Sequence, residues 1–294
     1  MSFSERKRRR RFRKSARRTT SQISIDALES RCLLAGIPEL IQLDTEGDAY
    51  PEEFVQVGDT VYFSAEKEGF GRELWATDGT AAGTRQVRDI NPGESGSTPN
   101  NLTALNGKVI FSADDGTHGR ELWMSDGTEA GTVLVKDINL GNGYSGYNDS
   151  SPANLVRVND KIYFSADDDF HGRELWMSDG TEAGTLLLKD ISPGVFENGY
   201  YGTSTPYTSA PSSLTAVDGK LFFSANDNQN GKELWMSDGT TNGTVIVRDI
   251  FAGEGYQYPY GEGPLQSFPN QLTNVDGKLF FTAVDQNGEE LWMS

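Results

Sequence analysis

The stretch ELWMSDGTEAGT (Glu121–Thr132) returns letter for letter at Glu174–Thr185. Near copies stand at Glu73–Thr84 (ELWATDGTAAGT) and Glu233–Thr244 (ELWMSDGTTNGT), and a fifth begins ELWMS at Glu290–Ser294. A period of about 50 residues marks an array of like units, each burying its apolar faces against its neighbours. Around the quoted stretch a whole unit can be laid out. NLTAL (Asn101–Leu105) alternates polar and apolar, which is strand periodicity. Asn106-Gly107 is a strong two-residue hairpin signal, and KVIFSA (Lys108–Ala113) is β-branched and aromatic. The polar DDGTHG follows, then RELWMS (Arg120–Ser125), a DGTEAG turn, and TVLVKDI (Thr132–Ile138). Each unit therefore predicts four antiparallel strands.

Four-stranded units with apolar residues on both faces are the signature of propeller blades. The fold class expected is all-β, a five-bladed β-propeller of four-stranded antiparallel blades. Trp75, Trp123, Trp176, Trp235 and Trp292 share one position in the unit, and are read as core between blades. The fifth unit has three strands. ELIQL (Glu39–Leu43) reads as an orphan fourth strand, so the last blade is expected to be closed by this N-terminal segment, removing the open edge. A longer array, of which this chain is a piece, is the rival reading. Counting outward from Ser125 opposite Thr132 places Glu121 against Lys136 and Arg120 against Asp137. Similar opposite-charge pairs are expected in the other complete units.

The formal net charge of −17 hides an asymmetry. Residues 1–18 hold ten Arg or Lys and one Glu, whereas the remainder carries 16 basic and 42 acidic residues. Such a basic block does not pack into a core, so residues 1–36 are read as a mostly disordered leader and 37–294 as the propeller. The acidic body repels phosphate backbones, so no nucleic-acid partner is expected. No apolar run is long enough for a membrane-spanning helix. Cys32 is the only cysteine, which excludes an internal disulfide framework.

LESRCLLAG (Leu28–Gly36), behind the basic tract, resembles the LEPR-XLL N-terminal motif, with Ser30 where that motif has Pro and Cys32 at its variable position. The five units resemble the ELWxxDGT repeat family over about residues 50–294. Together these resemblances imply a bacterial exported or surface protein, secreted or held in the cell envelope. They imply no catalytic residues.

The motifs of common chemistries are absent from the sequence: no HExxH, no GxxxxGK[ST] and no GxSxG. Its two histidines, His118 and His171, sit in equivalent loops and are read as exposed loop residues. The loops between second and third strands are rich in Asp and Asn. Asp114, Asp115, Asp167, Asp169 and Asp227 loosely echo a calcium loop, so calcium is the one cofactor considered, with turn formation as the alternative. The connections from each fourth strand to the next first strand hold Tyr144, Tyr147, Tyr200, Tyr201, Tyr207, Tyr256, Tyr258 and Tyr260. Tyrosine offers an apolar face with a polar tip, suited to recognition, and these eight are the candidate ligand-binding residues. The expected function is a non-catalytic envelope or secreted module binding glycan or a cell-envelope protein. A carbohydrate-active enzyme (glycosidase or lyase) with carboxylates in the loops, or a structural spacer of a surface layer, are the alternatives.

Overall fold

The structure, a computed structural model, describes residues 40–44, 47–141, 143, 148–198, 203–257 and 261–294. The leader and its LEPR-XLL-like motif lie outside the described residues. The compact unit spans Ile41–Ser294. It is all-β, and among the described residues no helix is long and apolar enough to cross a membrane.

Four sheets have four antiparallel strands each, in chain order. The first holds β1 (Glu52–Val57), β2 (Thr60–Lys67), β3 (Gly71–Thr77) and β4 (Arg85–Arg88). The second holds β5 (Asn100–Leu105), β6 (Lys108–Asp114), β7 (Arg120–Ser125) and β8 (Val133–Lys136). The third holds β9 (Ala153–Val158), β10 (Lys161–Asp167), β11 (Arg173–Ser178) and β12 (Leu186–Lys189). Two added hairpins interrupt the series: β13 (Val195–Asn198) with β14 (Thr203–Pro206), and β19 (Glu254–Gln257) with β20 (Gly261–Pro264). The fourth sheet is β15 (Ser212–Val217), β16 (Lys220–Asn226), β17 (Lys232–Ser237) and β18 (Val245–Arg248). The fifth has three strands, β21 (Asn270–Val275), β22 (Lys278–Asp285) and β23 (Gly288–Met293).

The expected hairpin turns form. Asn106-Gly107, Asp218-Gly219 and Asp276-Gly277 all have positive φ, which suits a turn matched to strand twist. Each first strand also carries a bulge, marked by a left-handed residue at one position: Glu53, Asn101, Asn154, Ser213 and Gln271. The first strands pack in chain order, β1 on β5, β5 on β9, β9 on β15 and β15 on β21.

Between sheets the core repeats. In the junction of second and third sheets, Leu105, Ile110 and Leu122 meet Leu155, Phe164 and Trp176. The same template positions meet at each of the other junctions, with Trp123, Trp235 and Trp292 playing the part of Trp176. Basic residues of each fourth strand reach across: Arg88 over the Trp123 ring, Lys189 over Trp235 and Arg248 over Trp292, at 5.7–5.9 Å. The reading of the tryptophans as inter-sheet core therefore holds for Trp123, Trp176, Trp235 and Trp292, whereas Trp75 packs with Phe63 and Leu43 and not against another sheet.

Two sequence expectations need correction. The Ser125–Thr132 register is right, with the two hydroxyls 2.8 Å apart. However, a bulge between Leu122 and Trp123 then sets Leu122, not Glu121, opposite Lys136. The Glu121–Lys136 ion pair does not form, and Glu121 is fully buried. Likewise residues 40–43 form no strand. Leu43 packs on Phe63 and Trp75 of the first sheet, and the edge of β23 has no fourth strand among the described residues.

Candidate functional site

The repeated motif can be decoded residue by residue, and the result decides where chemistry can lie. In SDGTEAGT (Ser125–Thr132) the Asp126 carboxylate accepts from the Thr128 amide at 2.9 Å and its hydroxyl at 2.7 Å. The Thr128 hydroxyl accepts from the Gly131 amide, and Thr132 donates to the Thr128 carbonyl at 2.7 Å. This is a self-satisfied Asx/ST turn. Gly131 is required because a β-carbon there would stand 2.0 Å from Asp126 Oδ1. The three other complete copies repeat these bonds at Asp78, Asp179 and Asp238.

The Glu of ELW has a different task. Glu121 accepts from the amides of Ile138 (2.9 Å) and Asn139 (3.3 Å), and from the amide (3.0 Å) and hydroxyl (2.5 Å) of Ser150. Ile138 opens the crossover that leaves the second sheet, and Ser150 ends it. One carboxyl thus joins both ends of the crossover. Glu174 does the same for Ile191 and Ser209, and Glu233 for Ile250 and Ser267. Glu73 holds Asn91 and Ser97. Burial pushes all four carboxyls upward, Glu121 to about 8 and Glu174 to about 7, against the pull of their donors. A raised carboxyl in a cleft would suggest a general acid. These four are 0% exposed and occur once per complete sheet, so they are scaffold.

The sequence carried a signal for this clamp. Each receiving serine starts a Ser-x-Pro triplet: Ser97-Thr98-Pro99, Ser150-Ser151-Pro152, Ser209-Ala210-Pro211 and Ser267-Phe268-Pro269. The middle residue is left-handed in all four, and in Ala49-Tyr50-Pro51, where Ala49 stands in for serine.

What differs between units is the length of chain between the clamped points: 90–97, 138–150, 191–209 and 250–267. The two longer crossovers contain the added hairpins. As the strand order requires, these crossovers share one side with the loops joining second and third strands. Asn148 donates to the Thr117 carbonyl at 3.0 Å, and Asn228 to the Ser192 hydroxyl. Of the tyrosines proposed for binding, Tyr207 is 37% exposed, with its amide bonded to the Gly194 carbonyl at the hairpin base. Tyr256 lies in β19 opposite Glu262. Tyr144, Tyr147, Tyr200, Tyr201, Tyr258 and Tyr260 lie outside the described residues.

The aspartates considered for calcium form turns. Asp114 accepts from the Gly116 amide, and Asp167 from the Asp169 amide. Asp115 accepts from the Thr117 and His118 amides and pairs with the His118 ring at 2.8 Å. His118 is raised by that bond. The pattern recurs with Asp168 and His171, and with Asp227 and Asn230, where an amide replaces the imidazole. In the first sheet the same two positions hold Lys67 stacked on Phe70. A role filled in turn by His, Asn and Phe is loop bracing, not proton transfer. Among the described residues, no three His, Cys, Asp or Glu side chains are grouped to hold a metal.

No family model matches the chain, and no curated protein matches it. Solved structures do. A puromycin hydrolase is 14% identical over 83% of this chain, with a TM-score of 0.48, and this chain spans about a third of that protein (35%). An endo-1,4-beta-xylanase from Bacteroides thetaiotaomicron is 15% identical, covering 84% of this chain and 89% of that one, with a TM-score of 0.33. The β-propeller domain of the Trilobed protease from Pyrococcus furiosus is 14% identical, covering 84% and 83%, with a TM-score of 0.34. Similarity at this level bears on neither activity nor substrate.

Proposed function

We propose that the five sheets are blades of a β-propeller of the ELWxxDGT repeat type. In this reading the chain is a non-catalytic secreted or cell-envelope module that binds glycan or an envelope protein through its crossover face. One observation carries the proposal. The whole repeated motif is spent on the scaffold, while a buried glutamate ties off each crossover at its base, leaving the intervening length and composition free to differ. Rigid sheets with variable loops gathered on one side are the usual layout of a recognition surface. The tyrosines of those crossovers supply stacking faces and hydroxyls for sugar or protein. The basic leader, with its LEPR-XLL-like motif, supports export.

A glycan and cell-wall array probed with the chain tests this. Replacing Tyr200, Tyr201, Tyr256 and Tyr258 with Ser abolishes the signal and leaves the melting curve in place. Binding unchanged by all four substitutions refutes the tyrosine face, and turnover on a polysaccharide panel refutes the non-catalytic reading.

A further inference from the structure

The residue before the ELW motif is a cation in the first four sheets: Arg72, Arg120, Arg173 and Lys232. Arg72 and Arg120 are anchored alike. Arg72 Nη1 donates to the Tyr50 carbonyl at 3.0 Å, and Arg120 Nη1 to the equivalent Thr98 carbonyl at 2.9 Å. They differ in what they face. Glu52, at the start of β1, reaches Arg72 at 2.9 Å, and Glu66 adds a second ion pair at 3.1 Å. In the second sheet the Glu52 position holds Asn100, for Glu52 stands opposite Ser64 and Asn100 opposite the matching Ser112. Asp114, in the Glu66 position, turns its carboxylate to the Gly116 amide at 2.7 Å. Asp149 takes the backbone amide of Arg120 and not its guanidinium. Among the described residues Arg120 therefore has no ion pair. Its guanidinium opens onto a cleft of about 450 Å³ between the starts of β5 and β9, on the side where the crossovers gather. Thr98, Asn100, Asn101 and Ser151 line this cleft with hydroxyls and amides, and among the described residues no carboxylate lines it. In a chain of 43 acidic and 26 basic residues, an acid-free cleft around an arginine is a local place for negative charge. Nη2 donates to the Thr98 hydroxyl at 2.6 Å, and a guanidinium has further N–H donors to offer a ligand. In the third sheet, by contrast, Arg173 is drawn onto the carbonyls of Ser150, Ser151 and Ser165.

We propose that this cleft binds an acidic sugar, a uronate borne singly on a glycan, with its carboxylate on Arg120 where Glu52 sits on Arg72. The first sheet supplies the pattern, since there the protein's own carboxylate fills the place that Asn100 leaves free. Guanidinium and carboxylate make charge-assisted, directional hydrogen bonds, and the amides and hydroxyls around them suit the ring hydroxyls of a sugar. Nothing apolar larger than Pro152 lines the cleft to receive a peptide side chain. A long polyanion is repelled by the acidic body, which favours a ligand with one charge. The inference rests on the glycan reading above but not on its tyrosine face, because no described tyrosine lines the cleft.

Methyl glucuronide and its neutral counterpart, methyl glucoside, are titrated into the full chain and followed by NMR, with acetate as a bare carboxylate. The glucuronide binds about tenfold or more tighter than the glucoside, and acetate binds more weakly than the glucuronide because it has no ring. Arg120→Gln removes the preference. Should that variant lose its fold with the Thr98 bonds, Asn100→Glu carries the same test. It copies the ion pair of the first sheet, keeps the melting curve and weakens glucuronide binding by about tenfold or more. Replacing Tyr200, Tyr201, Tyr256 and Tyr258 with Ser leaves glucuronide binding in place. Equal affinity for glucuronide and glucoside overturns the proposal, and so does acetate binding as tightly as the glucuronide. Undiminished binding in Asn100→Glu, or binding lost with the tyrosines, overturns it too. A tyrosine-dependent array signal with no glucuronide binding sinks this site alone. Glucuronide binding beside an array signal indifferent to the tyrosines sinks the tyrosine face alone.

Discussion

Replacing Glu121 with Ala tests the clamp that sets the crossover face. The side chain is fully buried and accepts four hydrogen bonds, from Ile138, Asn139 and twice from Ser150. Truncation leaves three amides without this partner, and the Ser150 hydroxyl keeps only its bond to the Arg120 carbonyl at 3.3 Å. An orphaned buried donor costs about 1–3 kcal/mol, but relaxation and water entry recover part of the sum, so a loss of about 3–5 kcal/mol is expected. Urea unfolding followed by tryptophan fluorescence measures it. Glu129→Ala, at an exposed turn position of the same sheet, is the control and stays within about 0.5 kcal/mol. Dependence on pH gives a second readout. The Glu121 carboxyl is raised from 4.5 to about 8 by burial, so between those values the native state holds a proton that the unfolded state has released. Stability is then fully present below pH 4.5 and falls as pH rises towards 8, by up to about 1.4 kcal/mol per pH unit for one such group. Glu121→Ala flattens that fall by one group's share. A variant that unfolds within about 1 kcal/mol of the parent, with the pH slope unchanged, refutes the clamp.

Other substitutions separate scaffold from surface. Trp176→Ala opens a cavity between the second and third sheets and costs about 3–5 kcal/mol, read from thermal or urea melts. Gly131→Ala forces a β-carbon onto Asp126 and costs about 1–3 kcal/mol. Gly263, which has no positive φ and whose β-carbon would meet nothing within 4 Å, loses less on the same change. His118→Asn reproduces the Asp227–Asn230 brace and shifts stability by under about 0.5 kcal/mol, with binding unaltered. Calcium added to chelator-treated protein leaves the melting temperature in place, since Asp114, Asp115, Asp167 and Asp227 already serve as turn acceptors.

Much of the fold was legible because its signals are local. Period-2 alternation, the Asn-Gly and Asp-Gly hairpins, and the recurrence of Trp at one position all report on neighbours in sequence. The failures share one cause. Counting residues across the SDGT turn assumes an unbroken ladder, and a bulge beside Leu122 breaks it in each complete sheet. Nothing in the letters ELW announces that bulge. It moves Glu121 from a surface ion pair to a buried clamp. The clamp's partner, Ser150, lies 29 residues away, and only the recurring Ser-x-Pro triplets hinted at it. The equivalent placement of the two histidines marks them as loop residues, and their Asp partners three positions back give the reason. The tyrosine-rich crossovers stand out in the sequence as long connections, but nothing in their letters marks the hairpins they contain. Glu254–Gln257 and Gly261–Pro264 have little β propensity, and their pairing depends on the clamped base that brings them together.

Because Glu174 fastens Ile191 and Ser209 to the same carboxyl and Thr208 donates to the Arg173 carbonyl, the third sheet holds this crossover at its base. A foreign peptide could be spliced in between 198 and 203 at little cost to the sheet, since lengthening a tied loop adds only slowly to its closure entropy. Four such sockets stand side by side on one molecule, each open to a different cargo.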